Sequence, residues 1–246
     1  MTTPEPDYRK RFYDRYVSTF NETNASDSSE TIADFARWAD ARYFPQFSSL
    51  PKTASILELG CGHGRMLRYL KTKGFTNAIG VDVSQEQVDL VQAAGLRADC
   101  SDIFEYLKFH SGKFDLIIAI DVVEHFTQSE LLDLFDLIRS ALKPSGAVLL
   151  QTVNGEGLFP GHIIFGDLTH QTIFNPSSME QLLKLTGFRD VRFTGSEPLS
   201  SGLVGILRSL IWKCVTFSMN VIRKVESGKT QAIWTENFVT SAKRAD

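Results

Sequence analysis

The segment ILELGCGHGRML (56–67) carries the strongest chemical signal in the chain. Its apolar run contains Glu58, ends in glycines at alternate positions (Gly60, Gly62 and Gly64) and passes directly into an amphipathic stretch. Glycine lets backbone approach a ligand where any side chain would collide, and the first N–H groups of a following helix have no partner within it. A bound polar ligand is therefore expected at this turn. Enzymes that cradle a dinucleotide pyrophosphate space their glycines G-x-G-x-x-G. Here the spacing is G-x-G-x-G, with Arg65 where the third glycine would stand, so NAD and FAD are disfavoured. Asp82, 18 residues after Gly64, closes a second apolar run, AIGVDV, where a carboxylate can accept hydrogen bonds from both hydroxyls of a ribose.

Proton transfer has two candidates, His125 in IDVVEH and His170 in GDLTHQTIF, because imidazole titrates near neutral pH. Asp121, Glu124, His125 and Asp167 offer oxygen and imidazole donors for a divalent ion. Apart from the adjacent Glu124 and His125, no two of them have a chelating spacing, and no metal is expected. His63 and His162 receive no role. The three cysteines, Cys61, Cys100 and Cys214, are odd in number, far apart and without a CxxC pair, which points away from a disulfide framework or zinc site and towards a reducing compartment.

The elements that position these residues follow from periodicity and punctuation. Residues 8–20 and 29–44 are aromatic-rich and helix-compatible, so 1–50 is read as an N-terminal helical cover. From Ser55, short apolar runs alternate with amphipathic helices, the pattern of βαβ units and a parallel sheet. Strands are expected at 55–59, 78–83, 96–98, 114–120, 147–153, 190–195 and 237–243. Ser84 with Gln87, and Thr127 with Glu130, match the capping box. Gly74, Gly95 and Gly187 follow helical runs as C-terminal caps, and Asn175 with Pro176 opens the helix over 176–186.

With these residues in place, the chain from Ser55 to Lys243 resembles the class I S-adenosylmethionine-dependent methyltransferases. ELGCGHG looks like the family's first motif, IGVDVS its second, RADCSDI its third, FDLIIAIDVVEH its fourth and LKPSGAVLLQTVN its fifth, in order. The resemblance implies an α/β, Rossmann-like fold with a seven-stranded, mostly parallel sheet whose last strand is antiparallel. It also implies S-adenosyl-L-methionine as cofactor and S-adenosyl-L-homocysteine as product. Glu58, Gly60, Cys61, Gly62 and Gly64 would form the methionine end of the site. Asp82 would take the ribose, Val83 would stand beside it, and Asp121 would close the site at strand 4. Asp99 would receive the adenine amino group, with the N–H of Cys100 facing the ring and Asp102 as the alternative acid.

Strand 4 ends in IDVVEH rather than the NPPY-type run that resembling enzymes use for planar amines, so nucleic-acid amine methylation is disfavoured. The run GDLTHQTIFNPSSMEQLLKLTGF resembles the region after strand 5 in members acting on sugar and other small-molecule hydroxyls, which makes His170 the preferred base. The expected activity is O-methylation of a sugar hydroxyl in glycan, polysaccharide or glycoside biosynthesis, on a small-molecule or lipid-linked acceptor. Other acceptors are a quinone- or phenol-type hydroxyl, or a nitrogen or carbon centre. A methyltransferase-like docking module without turnover and a nicotinamide oxidoreductase fit less of the pattern.

The 246 residues, 43% hydrophobic and 22% charged, make one medium globular domain with additions. With 26 basic and 29 acidic residues the net charge is −3, which supplies no field for a nucleic-acid backbone. MTTPEPDYRKRF lacks an apolar core after its basic stretch, so no secretory signal is expected and the location expected is cytoplasmic. Within the methyltransferase domain, 51–246, the insertion 196–236 separates strands 6 and 7. Between Pro198 and Val225 it has four basic residues, Arg208, Lys213, Arg223 and Lys224, and no acidic one. These charges interrupt its apolar run, so a membrane-spanning helix is not expected. A basic amphipathic helix over 202–225 can instead pack on its own domain, dimerise, or touch the inner surface of an anionic membrane. Packing within the protein is the first expectation, with the molecule a monomer or homodimer.

Overall fold

The structure, a computed structural model, describes Phe12 and residues 29–245. Apart from Phe12, the helix expected over 8–20, with Tyr13 and Tyr16, lies outside the described residues. The segment 29–44 forms α1 (Ser29–Arg42), followed after Tyr43 by the short α2 (Phe44–Phe47).

The seven strands are β1 (Ile56–Leu59), β2 (Ala78–Asp82), β3 (Ala98–Cys100), β4 (Phe114–Ile120), β5 (Leu142–Val153), β6 (Phe188–Gly195) and β7 (Asn237–Arg244). They pair in the order β3-β2-β1-β4-β5-β7-β6. β1 to β5 are mutually parallel, while β7 lies between β5 and β6 and runs antiparallel to both. The helices between them are α3 (Arg65–Thr72), α4 (Gln85–Ala93), α5 (Ile103–Lys108), α6 (Gln128–Ala141), α7 (Gly161–Ile164), α8 (Pro176–Leu185) and α9 (Gly202–Ser227).

Alternation along the central strands sorts the core onto two faces, because successive side chains of a strand point to opposite sides. Ile56, Leu116, Ile118 and Leu149 meet α3 and the cover residues Ala39, Tyr43 and Phe47. Leu57, Ile117, Ala119 and Leu150 meet α5, α6 and α8 through Leu107, Phe135, Ile138 and Leu183. Each such aliphatic or aromatic side chain, buried from water, contributes about 1.5–3 kcal/mol to folding.

Most helix punctuation is where the residue types put it. Thr127 and Glu130 form a capping box, as do Asn175 and Ser178, with Pro176 in the first turn of α8. Gly74, Gly95 and Gly187 all have positive φ. Ser84 is the exception: its side chain caps nothing, and its N–H donates instead to Asp82 Oδ1 at 2.9 Å. Four strand starts also differ from expectation, β1 beginning one residue later at Ile56. β3 begins at Ala98 because Gly95 and Leu96 close α4, the N–H of Leu96 reaching back to the Val91 carbonyl at 3.2 Å. β5 begins at Leu142 and β6 at Phe188, each with a register irregularity, beside Ser145 and Asp190 at positive φ.

α9 rests on the protein only through half-buried positions, and its large apolar side chains are exposed rather than packed inward. None of its residues is buried. Among the described residues it is also the one helix long and apolar enough, by length and composition, to cross a membrane.

Candidate active site

A cavity of about 760 Å³ opens at the carboxyl ends of β1, β2 and β4, inside the size range of small-molecule sites. This is where ligands enter open α/β sheets. Its walls include Glu58, Gly60, Cys61 and Gly62 from the first turn, Asp82 and Val83 from the second, and Asp121, Val122 and His125 after β4.

The first turn is built by three left-handed glycines with different tasks. A Cβ on Gly60 (φ 63°) would stand 2.6 Å from Val122 Cγ2, so this residue lets the turn lie against the chain leaving β4. Gly62 (φ 50°) has open space where its Cβ would be, and its N–H donates to Asp82 Oδ2 at 2.8 Å. Gly64 (φ 84°) is not in the wall. It precedes α3, and a Cβ there would come within 2.9 Å of Val91, so it serves helix packing and not ligand contact. Cys61 is buried against Gly80, whose missing Cβ leaves room for the Cys61 sulfur. Burial raises the Cys61 thiol pKa, so it stays protonated.

Five carboxyl-bearing residues line the cavity: Glu58, Asp82, Asp102, Asp121 and Glu130. Burial pushes the Glu58 pKa well up, with the nearby Asp82 charge adding to it, and Glu58 Oε2 has no hydrogen-bond partner among the described residues. Burial also raises Asp82, which the N–H groups of Ser84 and Gly62 partly offset by holding its charged form. Such a set favours a cationic ligand.

Asp99 and Cys100 are outside the cavity wall. β3 continues through both, and the Asp99 carboxylate receives the Tyr106 hydroxyl. Asp102, Ile103 and Phe104 line the cavity instead. Asp102 caps α5, its Oδ1 accepting from the N–H of Phe104 at 2.8 Å and of Glu105 at 3.2 Å. The sequence signal was available: an aspartate directly before a short helical run is an N-cap.

At the opposite end, Asp121 takes a positive φ of 53°, turning β4 into a short 3₁₀ turn, Val123–His125. Gln151 Nε2 donates to both Asp121 oxygens at 3.0 and 3.1 Å, while Gln151 Oε1 accepts from the Tyr43 hydroxyl at 2.9 Å. Tyr43 and Gln151, neither singled out by sequence pattern, thus couple the cover to the site.

The loop after β5 is clamped to the 3₁₀ turn, the Glu124 carbonyl accepting from the N–H groups of Gln171 (2.8 Å) and Thr172 (3.0 Å). This brings His170 beside His125, with ring centroids 4.9 Å apart. His125 lines the cavity, whereas His170 does not. Burial lowers the His125 pKa to about 4, with the neighbouring His170 acting the same way. His125 Nδ1 is 2.8 Å from Thr169 Oγ1, which donates to Asp167 at 2.6 Å. His170 Nδ1 lies 3.2 Å from the Ile164 carbonyl, an acceptor only, so Nδ1 is the donor in that contact.

Glu124 is buried, receives the Thr152 hydroxyl at 3.0 Å and has its pKa pushed well up by burial, with the nearby Asp121 charge adding to it. Among the described residues, His125, Asp167 and His170 have ligand atoms within 4.8 Å of one another.

A family model described as a methyltransferase domain matches residues 29–192. The cyclopropane-fatty-acyl-phospholipid synthase of Escherichia coli (strain K12) is 26% identical over 101 residues, 41% of this chain and 26% of that protein. The ubiquinone biosynthesis O-methyltransferase of Bartonella tribocorum is 29% identical over 116 residues, 45% of this chain and 46% of that one. The matches thus span less than half of either relative. The crystal structure of a SAM dependent methyltransferase from Archaeoglobus fulgidus aligns over 93% of this chain and 100% of its own, with a TM-score of 0.69 and 22% identity.

Proposed function

Because the chain belongs to the methyltransferase-domain family, with S-adenosylmethionine as its methyl donor, we propose that it methylates an oxygen acceptor, a sugar hydroxyl being the leading class. The observation that carries this reading is His125 in the cavity wall at the Asp121 end, with the His170 ring 4.9 Å from it and His170 Nδ1 directed at the Ile164 carbonyl.

The cavity suits the cofactor residue by residue. Glu58 offers a buried, unpartnered oxygen to an ammonium group, and Gly62 leaves open space where a side chain would intrude. Asp82 is oriented for ribose hydroxyls by two backbone N–H groups. Asp102 and the backbone after it replace Asp99 and Cys100 at the adenine end, with Val83 offering an exposed apolar surface.

When bound, S-adenosylmethionine would supply an electrophilic methyl group to an acceptor oxygen held in line with its C–S bond, the sulfur leaving as S-adenosylhomocysteine. The chain's own work is to hold the acceptor against Asp121 and His125 and to remove its proton. His170 Nε2 receives that proton, since its Nδ1–H is committed to Ile164. The sugar class rests on the likeness of the loop around His170 to that of glycan-modifying enzymes. A phenolic or quinone-type hydroxyl is the second reading, favoured by the exposed Phe159, Phe165 and Leu168 on the same loop and by the ubiquinone O-methyltransferase likeness.

The test is methyl transfer from labelled donor to a panel of sugar and phenolic acceptors, run with chelator present. Turnover on a hydroxyl that falls about 10²- to 10⁴-fold in His170→Ala, with S-adenosylhomocysteine affinity unchanged, is expected. Undiminished turnover in that variant removes His170 from proton transfer. Loss of wild-type activity in chelator assigns His125, Asp167 and His170 to a metal instead.

A further inference from the structure

α9 presents its faces the opposite way to an ordinary surface helix. Its half-buried positions include Gly205, Ser209, Trp212, Thr216, Asn220 and Arg223, spaced three or four apart, and these mark the stripe resting on the protein. Apart from Trp212 and Met219, which is also half-buried, that stripe is small or polar. Asn220 accepts the Gln231 N–H at 2.7 Å, and Arg223 lies 3.6 Å from Glu156 and over the Trp234 ring. The outward stripe carries Leu203, Leu207, Leu210, Phe217, Val221 and Val225, with relative exposures from 49% to 88%. A surface helix of a globular domain normally turns such a stripe inward.

The charges complete the pattern. Lys213 and Lys224 flank the outward stripe on one side and Arg208 on the other, and no acidic residue occurs between Pro198 and Val225. Long basic side chains at this height reach a headgroup layer while the apolar ridge enters the acyl boundary.

A single crossing of the bilayer is excluded by topology. The strands on either side of the insertion are paired, Gly195 opposite Phe238, and the Ser196 N–H is tied to Thr235 Oγ1 at 3.0 Å. One spanning helix would carry these two ends to opposite sides of the membrane. Because β5 and β6 both run antiparallel to β7, the loops that follow them leave the same edge of the sheet. α9 therefore shares the active-site edge, as do the exposed Phe159, Phe165 and Leu168.

We propose that α9 lies flat on an anionic lipid surface, apolar ridge inward to the membrane, with the active-site edge facing the bilayer. The inference stands independently of which hydroxyl is methylated. It is tested by co-sedimentation of the full chain with phosphatidylcholine vesicles, with and without phosphatidylglycerol. Binding is expected only with phosphatidylglycerol. It should weaken about fivefold for each of Lys213→Gln and Lys224→Gln, and be lost in Leu210→Glu/Phe217→Glu. S-adenosylhomocysteine affinity, measured on every variant, is expected to equal that of wild type and shows that the variants are folded. Absence of binding by folded wild type overturns the proposal, as does equal binding to both vesicle types. A concentration-dependent dimer abolished by Leu210→Glu, without vesicle binding, also overturns it and makes the ridge a contact between copies.

Discussion

Asp82 is held by two backbone N–H groups, those of Gly62 and Ser84, before any ligand arrives. Its orientation would therefore cost little on binding, and a hydrogen bond from a ribose hydroxyl to this carboxylate would be a charge-assisted one. Asp82→Ala is expected to weaken S-adenosylhomocysteine binding by about 2–3 kcal/mol, roughly a hundredfold in Kd. Titration calorimetry checks this. Gly60→Ala sets a Cβ at a left-handed position 2.6 Å from Val122, and a loss of about 1–3 kcal/mol of stability is expected in denaturant unfolding. The same substitution combined with Val122→Ala should recover part of that loss. An unchanged double-mutant coupling would show that φ alone is responsible.

At the scale of elements, local rules read most of the chain. The capping residues of α6 and α8, the glycines that close helices, and the alternation that divides Ile56 from Leu57 are all visible as residue types at fixed spacings. Asn175→Ala should cost about 1 kcal/mol, seen as a melting temperature about 2–4 °C lower. What differed came from one local closing turn and from contacts between residues far apart in sequence. The expected strand over 96–98 was displaced by the closing turn of α4, and that shift is why Asp99 and Cys100 lie outside the cavity while Asp102 lines it. The tie from Tyr43 through Gln151 to Asp121 joins residues far apart in sequence, and no spacing rule reaches it. The amphipathicity of α9 was legible, but not which face would meet the protein.

The whole molecule was legible through the order of its motifs, since five of them in sequence imply the sheet that positions the site. Its response to pH sums groups that oppose one another. His125 has a folded pKa of about 4, below the ordinary 6.5, so the unfolded chain binds the proton more readily and stability falls as pH drops between those values. Glu58 and Glu124 are shifted up, and their contribution is present at low pH and lost as pH rises through their folded values. The histidine part is isolated by comparing wild type with His125→Asn. Between about pH 7 and pH 5 the wild type should lose about 2 kcal/mol more stability than the variant. Equal losses would show that His125 is not held neutral by burial.

The most direct measurement is calorimetric titration of the purified chain with S-adenosylhomocysteine, repeated on Asp82→Ala and on Asp99→Ala. A cofactor site built on the first glycine turn, β2 and the start of α5 predicts binding by wild type, its loss in Asp82→Ala and its retention in Asp99→Ala. Wild-type affinity in Asp82→Ala would contradict the placement of the cofactor in this cavity.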